Sequence, residues 1–334
     1  MKREYSIRKI AELSGFSTAT VSRAINRPQT VSEKTRQKVL EITRQYGYVP
    51  NRNVKNIFSG ASNTIAIFVY DMTNPYFNSI ISHLSRITFE NSYSLLLFDC
   101  MNDEEKELEY YEYCKSVRVA GIVYASGTSR GEPPVNEETS FPIVILANTE
   151  YLSRDRYSLH SDDKKSLQLL TDYLYNLNHR KIGFITGPAE ILSSQDRLNA
   201  FTANAARLGL SVPRHFVCQG DFSVQSGTSA FDYFFSLPAS DRPTAVIASN
   251  DQMARGFILR ANAMGIRIPE DISVCGIDSV PENYFYPTIT SIRQDTERLA
   301  ECAFHLIVNP EHLPYPQETV LDVALESGAT CRKI

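Results

Sequence analysis

Two periodicities divide the chain. Over the first fifty residues, apolar side chains recur every three or four positions, the spacing of one helix face. One stretch carries Ile7, Ile10, Ala11 and Leu13 behind Ser6, a hydroxyl suited to an N-cap, and stops at Gly15. A second follows Ser17, sets Val21, Ala24 and Ile25 on one side, and ends in the breaker cluster "NRPQ". A third starts at Ser32, carries Val39, Ile42 and Tyr46, and stops at Gly47. Three short helices, the first two joined by a tight turn, predict a helix-turn-helix arrangement.

From about residue 63 the texture changes to continuous apolar runs: "TIAIFVY", "SLLLFD", "AGIVYA", "FPIVIL", "KIGFITG", "TAVIAS" and "DISVCGID". Helical patterns at 77–91, 103–117, 163–177, 195–208, 224–236, 251–264 and 295–308 lie between most of them. Unbroken apolar strands alternating with helices predict parallel sheets buried on both faces. The strands are too many for one small domain, and the charged stretch 150–162 is a sensible division. The expected fold is an N-terminal all-α helix-turn-helix head plus an α/β body. The body is read as two doubly wound parallel-sheet lobes, with a cleft between the carboxyl ends of their strands.

The second head helix poses a chemical question, because "FSTATVSRAIN" is dense in residues that compete with helical backbone for hydrogen bonds. With Val21, Ala24 and Ile25 in the core, Thr18, Ala19, Ser22 and Arg23 face outward at i and i+4 spacing. Short side chains let a helix approach a groove, hydroxyls and the helix N-terminus bond phosphate, and one arginine can take a guanine bidentately. A face that meets only water more often carries Glu, Lys and Gln. These residues point to DNA.

Charge agrees. The net charge of −4 hides an asymmetry: residues 1–60 hold 12 Lys/Arg against 4 Asp/Glu (+8), and the remainder holds 22 against 34 (−12). A basic head on an acidic body implies a polyanionic partner for the head alone. No apolar run approaches the roughly 18 residues that span a bilayer. The basic N-terminus has no hydrophobic segment behind it, so no secretory signal is expected and the protein is placed in the cytoplasm, off the membrane.

Candidate catalytic chemistry is thin. Six cysteines form no C-x-x-C pair and read as reduced, mostly buried thiols. The dispersed histidines, His160 and His179 among them, read as structural. "GTSRG" fits G-x-S-x-G, yet "EPPV" follows where a nucleophile elbow must enter a helix, so Ser129 is not read as catalytic. No P-loop, H-E-x-x-H or G-x-G-x-x-G occurs. No enzyme, catalytic residue, metal site or cofactor is expected.

The chain resembles the lactose-repressor (LacI/GalR) family of bacterial transcription regulators over nearly its whole length. The head stretch "SIRKIAELSGFSTATVSRAINRPQTVSEKTRQKVLEITRQYGYVPN" carries the likeness. In the body, "TIAIFVYDMTNPYF", "NHRKIGFITGP", "SNDQMARG", "GIRIPEDISVCGIDS" and "PTITSIRQD" follow in family order. The resemblance implies a dimeric DNA-binding regulator whose body is built like periplasmic sugar-binding proteins and takes a small effector. It implies a head at 1–47, a hinge at 48–62 and a core at 63–334. The N-lobe would comprise about 63–160 and 291–320, and the C-lobe about 161–290 and 321–334.

By position, Thr18 and Ala19 match the family's base-reading pair, Arg23 the arginine of T-V-S-R, and Ser17, Thr20 and Ser22 its phosphate contacts. Asn26 closes the same helix, and Asn51, Val54 and Ile57 fall in a hinge that becomes helical on DNA. Ile57 stands where the family carries an apolar wedge for the minor groove. In the cleft, the implied effector contacts are Asp71, Tyr76, Phe77, Arg197, Phe222, Asn250, Asp251 and Asp278. Asn53, Val54 and Ile57 depart from the commoner hinge residues, Asn178 replaces a usual glycine, and Asp163 stands near a usual Asn.

The resulting reading is a ligand-responsive repressor of a carbohydrate-utilisation operon. It binds a pseudo-palindromic operator in double-stranded DNA as a homodimer, under allosteric control by a sugar or sugar derivative. The alternative is a cytoplasmic protein that binds a purine or other non-sugar effector and whose basic head binds something other than operator DNA.

Overall fold

The chain divides into two units, Met1–Ser62 and Asn63–Ile334. The structure is a computed structural model that describes residues 5–26, 28–48, 62–101, 103–125, 139, 141–147, 156–279, 286–309 and 316–334. The expectations placed on Ser129, Asn51, Asn53, Val54 and Ile57 lie outside the described residues.

In the first unit α1 (Ile7–Ser14), α2 (Thr18–Asn26) and α3 (Glu33–Gln45) follow the apolar spacing closely. The Ser6 hydroxyl accepts from the Lys9 N–H at 3.4 Å and the Ser32 hydroxyl from the Thr35 N–H at 3.3 Å. Gly15 ends α1 at φ +74°, a left-handed conformation that glycine adopts without steric cost. Ile10, Ala11, Val21, Ala24 and Val39 form the core. Each fully buried aliphatic of this size contributes about 1.5–3 kcal/mol, so a charge at Val21 would undo so small a core.

The second unit holds two six-stranded sheets. The first is ordered β11-β5-β4-β3-β1-β2, all parallel, from β1 (Thr64–Val69), β2 (Ser94–Asp99), β3 (Gly121–Ala125), β4 (Ile143–Ile145), β5 (Arg156–Ser161) and β11 (Glu318–Leu321). The second is ordered β12-β10-β9-β8-β6-β7. Its strands are β6 (Ile182–Thr186), β7 (Val217–Gln219), β8 (Ala245–Ala248), β9 (Ser273–Asp278), β10 (Thr290–Gln294) and β12 (Val323–Glu326). Here β12 runs antiparallel to β10, an edge exception to the expected all-parallel sheet.

Helices cover both faces of each sheet. On the first, α4 (Pro75–Glu90) and α10 (Thr296–Val308) pack through Ile80, Leu84, Leu299 and Leu306, and α5 (Glu104–Val117) covers the other face through Tyr111 and Cys114. On the second, α6 (Asp163–Asn176) and α7 (Leu192–Arg207) oppose α8 (Val224–Ser236) and α9 (Asp251–Ala263). This is the doubly wound pattern, twice.

Among the described residues the chain crosses between sheets at Asp162, Asp295 and Asp322. Each side chain accepts a backbone N–H just beyond, from Lys165, Arg298 and Val323, at 2.9 Å in all three cases. The second crossing falls after 294, later than the 291 expected, because Thr290–Arg293 pair with Thr290's neighbour strand β9 in the second sheet. The stretch 150–162, expected to be a division, contains β5. "RYSLHS" mixes polar with apolar residues and β7 is three residues long, so neither shows an apolar run; β10 is mostly polar, and β11 and β12 are only four residues long.

Candidate functional site

In the head, the Ser17 hydroxyl accepts from the Thr20 N–H at 3.1 Å and lies 2.9 Å from the Thr20 hydroxyl, closing the first turn of α2. Thr18, Ala19 and Arg23 are exposed together, with Thr20 and Ser22 half-buried beside them. Val21 and Ala24 are buried behind. Arg23 Nε donates to the Ala19 carbonyl at 3.4 Å, so the guanidinium lies back along the helix. The side chain of Asn26 lies outside the described residues.

In the second unit, a cavity of about 140 Å³ opens between the carboxyl ends of the two sheets. That is several times the roughly 10–15 Å³ one water needs, room for a small molecule. Tyr76, Phe77, Arg197, Phe222, Asn250 and Asp278 of the expected residues line it. Asp71 and Asp251 are not among the lining residues. Asp71 Oδ1 accepts from the Thr73 N–H and hydroxyl, both at 2.7 Å, and shapes the turn after β1. Asp251 lies behind the wall: its Oδ1 accepts from the Ser291 hydroxyl at 2.7 Å, and a Cβ at Gly276 would come within 2.2 Å of the same oxygen.

The buried charged side chains of the cavity are already paired. Arg197 Nε donates to Asp163 Oδ1 at 2.7 Å and Nη1 to the Ser249 carbonyl at 2.5 Å. Burial pulls this guanidinium down, but the charges of Asp163 and Asp278 and the Asp163 hydrogen bond outweigh it and hold it above its ordinary value. Gln294 Nε2 donates to Asp278 Oδ1 at 2.7 Å, and the Tyr76 hydroxyl reaches Gln294 Oε1 at 3.4 Å across the two lobes. Burial, then the neighbouring Asp251 charge, pushes the Asp278 carboxyl well above the usual carboxylate range. Burial, then Asp278, likewise raises the Tyr76 hydroxyl, which stays protonated and able to donate.

Backbone conformation serves the same groups. Phe222 has φ +68° and Asp278 φ +124°, both uncommon for side-chain-bearing residues and costing on the order of 1–3 kcal/mol each. Asn250 holds the first in place: its Nδ2 donates to the Phe222 carbonyl at 2.9 Å while its Oδ1 accepts from the Met253 N–H at 2.9 Å. A Cβ at Gly187 would come within 2.2 Å of the Phe222 ring, so glycine is needed where that ring lies. Asn250 therefore positions the aromatic as well as capping α9.

Further lining residues were not foreseen, chiefly Tyr70, Asn74, His160, Ser161, Ser193 and Gln294. Tyr70 directly follows the "TIAIFV" strand and was legible by that position; Gln294 had no such signal. Asp163, noted only as a departure, is the partner of Arg197. His179 is fully buried away from the cavity, with Nε2 donating to the Arg332 carbonyl at 3.0 Å and Nδ1 2.9 Å from the Thr244 hydroxyl.

Comparison with known proteins follows the same division. Residues 6–51 match the model for bacterial regulatory proteins of the lacI family, and residues 171–331 match that for a periplasmic binding protein-like domain. The chain is 30% identical to the HTH-type transcriptional repressor PurR of Klebsiella pneumoniae (strain 342) over 307 residues, covering 91% of this chain and 89% of that one. It is 28% identical over 305 residues to the HTH-type transcriptional repressor CytR of Escherichia coli (strain K12), with coverage of 91% and 89%. Its fold is similar to the Lac repressor dimer bound to operator and the anti-inducer ONPF (TM-score 0.84, 22% identity, 99% and 100% covered). It is also similar to the transcriptional regulator CelR in complex with cellobiose (TM-score 0.69, 24% identity, 98% and 100% covered).

Proposed function

The chain belongs to the lacI family of bacterial regulatory proteins, and from that premise we propose a repressor whose operator affinity is set by a sugar or sugar derivative held between the lobes. As a member of the family it is a DNA-binding transcription regulator with an effector-binding domain. The observation that carries the sugar reading is the cavity's pairing of Arg197–Asp163 and Asp278–Gln294 with the Phe222 ring. Carboxylates can each bond two hydroxyls, and an aromatic face covers the apolar side of a sugar ring. The cellobiose bound by the similar CelR supports this. A nucleoside or purine is the second reading, favoured by aromatic residues on both lobes, Tyr76 and Phe77 on one and Phe222 on the other.

The proposed mechanism couples two sites. Thr18, Ala19 and Arg23 read base edges, Ser17, Thr20 and Ser22 contact phosphate, and a pair of hinges from a homodimer folds over the operator centre. A segment of about ten residues is too short to be a stable helix alone in water. Effector binding shifts the two lobes and so changes the free energy of the paired hinges; a ligand moves an equilibrium only through such differential affinity. The operator as partner places the protein in the cytoplasm.

A thermal-shift panel of sugars, nucleosides and purines on the full chain, followed by gel shifts on the protein's own upstream region, tests this. A sugar that both stabilises the protein and changes operator affinity is the expected result. A response to nucleosides or purines alone selects the second reading. Operator binding that no small molecule alters rejects the effector role of the cleft.

A further inference from the structure

We infer that the effector is neutral or cationic and carries no phosphate or carboxylate group where it meets the cleft. The inference rests on the effector role proposed above and narrows its chemistry. Among the described lining residues Arg197 alone carries a permanent positive charge, and it is already committed to Asp163 at 2.7 Å and the Ser249 carbonyl at 2.5 Å. Anion sites work by offering guanidinium or ammonium donors to the ligand, often in a bidentate fork. Here Asp163 holds Nε, and the guanidinium serves the wall.

Acidic residues outnumber it. Asp163 and Asp278 line the cavity, and Asp251 stands directly behind. Burial, then the Asp251 charge, raises the Asp278 carboxyl, so this site already disfavours negative charge. A phosphate added beside these acids would meet the same penalty. At Tyr70, also on the lining, the hydroxyl is raised first by burial and then by Asp221, Glu190 and Asp71. Asp221 and Glu190 belong to the second lobe and Asp71 to the first, so acids surround this tyrosine from both. Those two second-lobe acids are exposed and screened, so they add a smaller share.

One feature favours an anion and is too weak to reverse this. Helix α7 has Ile191 at its N-cap, which gives no side-chain cap, and Ile191, Leu192 and Ser193 line the cavity. A helix N-terminus is worth roughly half a charge. Its N–H groups serve a ligand hydroxyl as readily. Ser161, a lining residue 6% exposed as a whole, adds a buried neutral hydroxyl with no hydrogen-bond partner among the described residues. Uncharged donors and acceptors remain for the ligand.

The chain contains no tryptophan, so Phe222→Trp places a single tryptophan at the cleft, excited selectively over the 18 tyrosines, and separates binding there from binding at the basic head. Full-length protein is titrated with matched pairs (ribose and ribose 5-phosphate, adenosine and its 5′-monophosphate, glucose and glucose 6-phosphate) and with inorganic phosphate alone, at constant ionic strength. Wild-type calorimetry repeats the series in case the tryptophan disturbs the fold. The expected result is that the phosphorylated member of any binding pair is weaker by about 100-fold, the size of one uncompensated like-charge contact. Inorganic phosphate gives no cleft signal at millimolar concentration. Asp163→Asn, which frees Arg197 and removes a charge, should gain phosphate binding by about tenfold or more. Glu190→Gln with Asp221→Asn, both exposed, should narrow the preference and serves if Asp163→Asn does not fold. Phosphate or a phosphorylated member binding the wild-type cleft as tightly as its neutral partner overturns the inference, as does the absence of any gain in the variants. If no sugar or nucleoside binds, the proposed effector class fails, while the inorganic phosphate arm still decides the charge question.

Discussion

The head and the cleft put polar side chains to opposite uses. On α2, Thr18, Ala19 and Arg23 stand exposed within six residues of one another, anchored by nothing more than a helix of nine residues. In the cleft, Arg197 pairs with Asp163, 34 positions away, and Gln294 with Asp278, 16 positions away, and these side chains are mostly buried. An exposed polar group can be removed with little consequence for folding, because water replaces its partner. A buried pair cannot lose one member without stranding the other. The same residue type, arginine, is therefore expected to fail in two different ways at 23 and at 197.

The largest effect should follow Arg197→Ala. Its side chain is 11% exposed and that of Asp163 17%, so the change leaves buried carboxyls without their cation. Denaturant unfolding should show a loss of about 3–5 kcal/mol, together with loss of the effector response. A variant as stable as wild type would erase the contrast between the two regions.

Next comes Arg23→Ala, which should leave the unfolding midpoint nearly unchanged while costing about 1–3 kcal/mol of base discrimination in gel shifts against mismatched operators. In the same assay Ile57→Gly should weaken specific binding more than non-specific binding. Equal losses on specific and random DNA would assign Arg23 to phosphate contact instead.

A smaller effect is expected at Ser17. Its hydroxyl closes the first turn of α2, so Ser17→Ala should cost about 1 kcal/mol of head stability, seen by thermal unfolding, and reduce operator affinity through the misplaced helix start. Ser17→Asp keeps the cap and should keep the stability. Loss of affinity in Ser17→Asp with stability intact then isolates a phosphate contact from the cap.

The smallest is a slope. The Asp278 carboxyl is raised by burial and by Asp251, so the folded state binds its proton more tightly than the unfolded chain does. Its stabilising contribution is full below the ordinary value of 3.8 and is lost as pH rises through the folded value. Asp278→Asn keeps an acceptor for Gln294 and removes the titration. Stability measured from pH 4 upward should fall less steeply in the variant, and parallel curves would show that Asp278 is not the group responsible.

What could be read from the chain divides along the same line. Helices α1 to α3, their caps at Ser6, Ser17 and Ser32, the stop at Gly15 and the outward set on α2 all depend on neighbours within four residues, and periodicity records such contacts directly. The strands β1, β3, β4, β6, β8 and β9 were legible because strands buried on both faces are continuously apolar, and β2, a half-exposed edge strand, was legible by its run "LLLF". Asn178 was legible too, since Asn tolerates the left-handed turn it adopts at φ +71°. Tertiary structure alone decided that polar β5 and short β7, β10, β11 and β12 are strands, since their backbones find partners only once the sheets exist. It alone decided that Asp163 belongs to Arg197, that Gln294 joins Tyr76 to Asp278, and that Asp251 stands behind the wall while Asp71 shapes a turn. Those outcomes depend on which chain ends meet at the mouth of two sheets, a distance in space that no local spacing encodes.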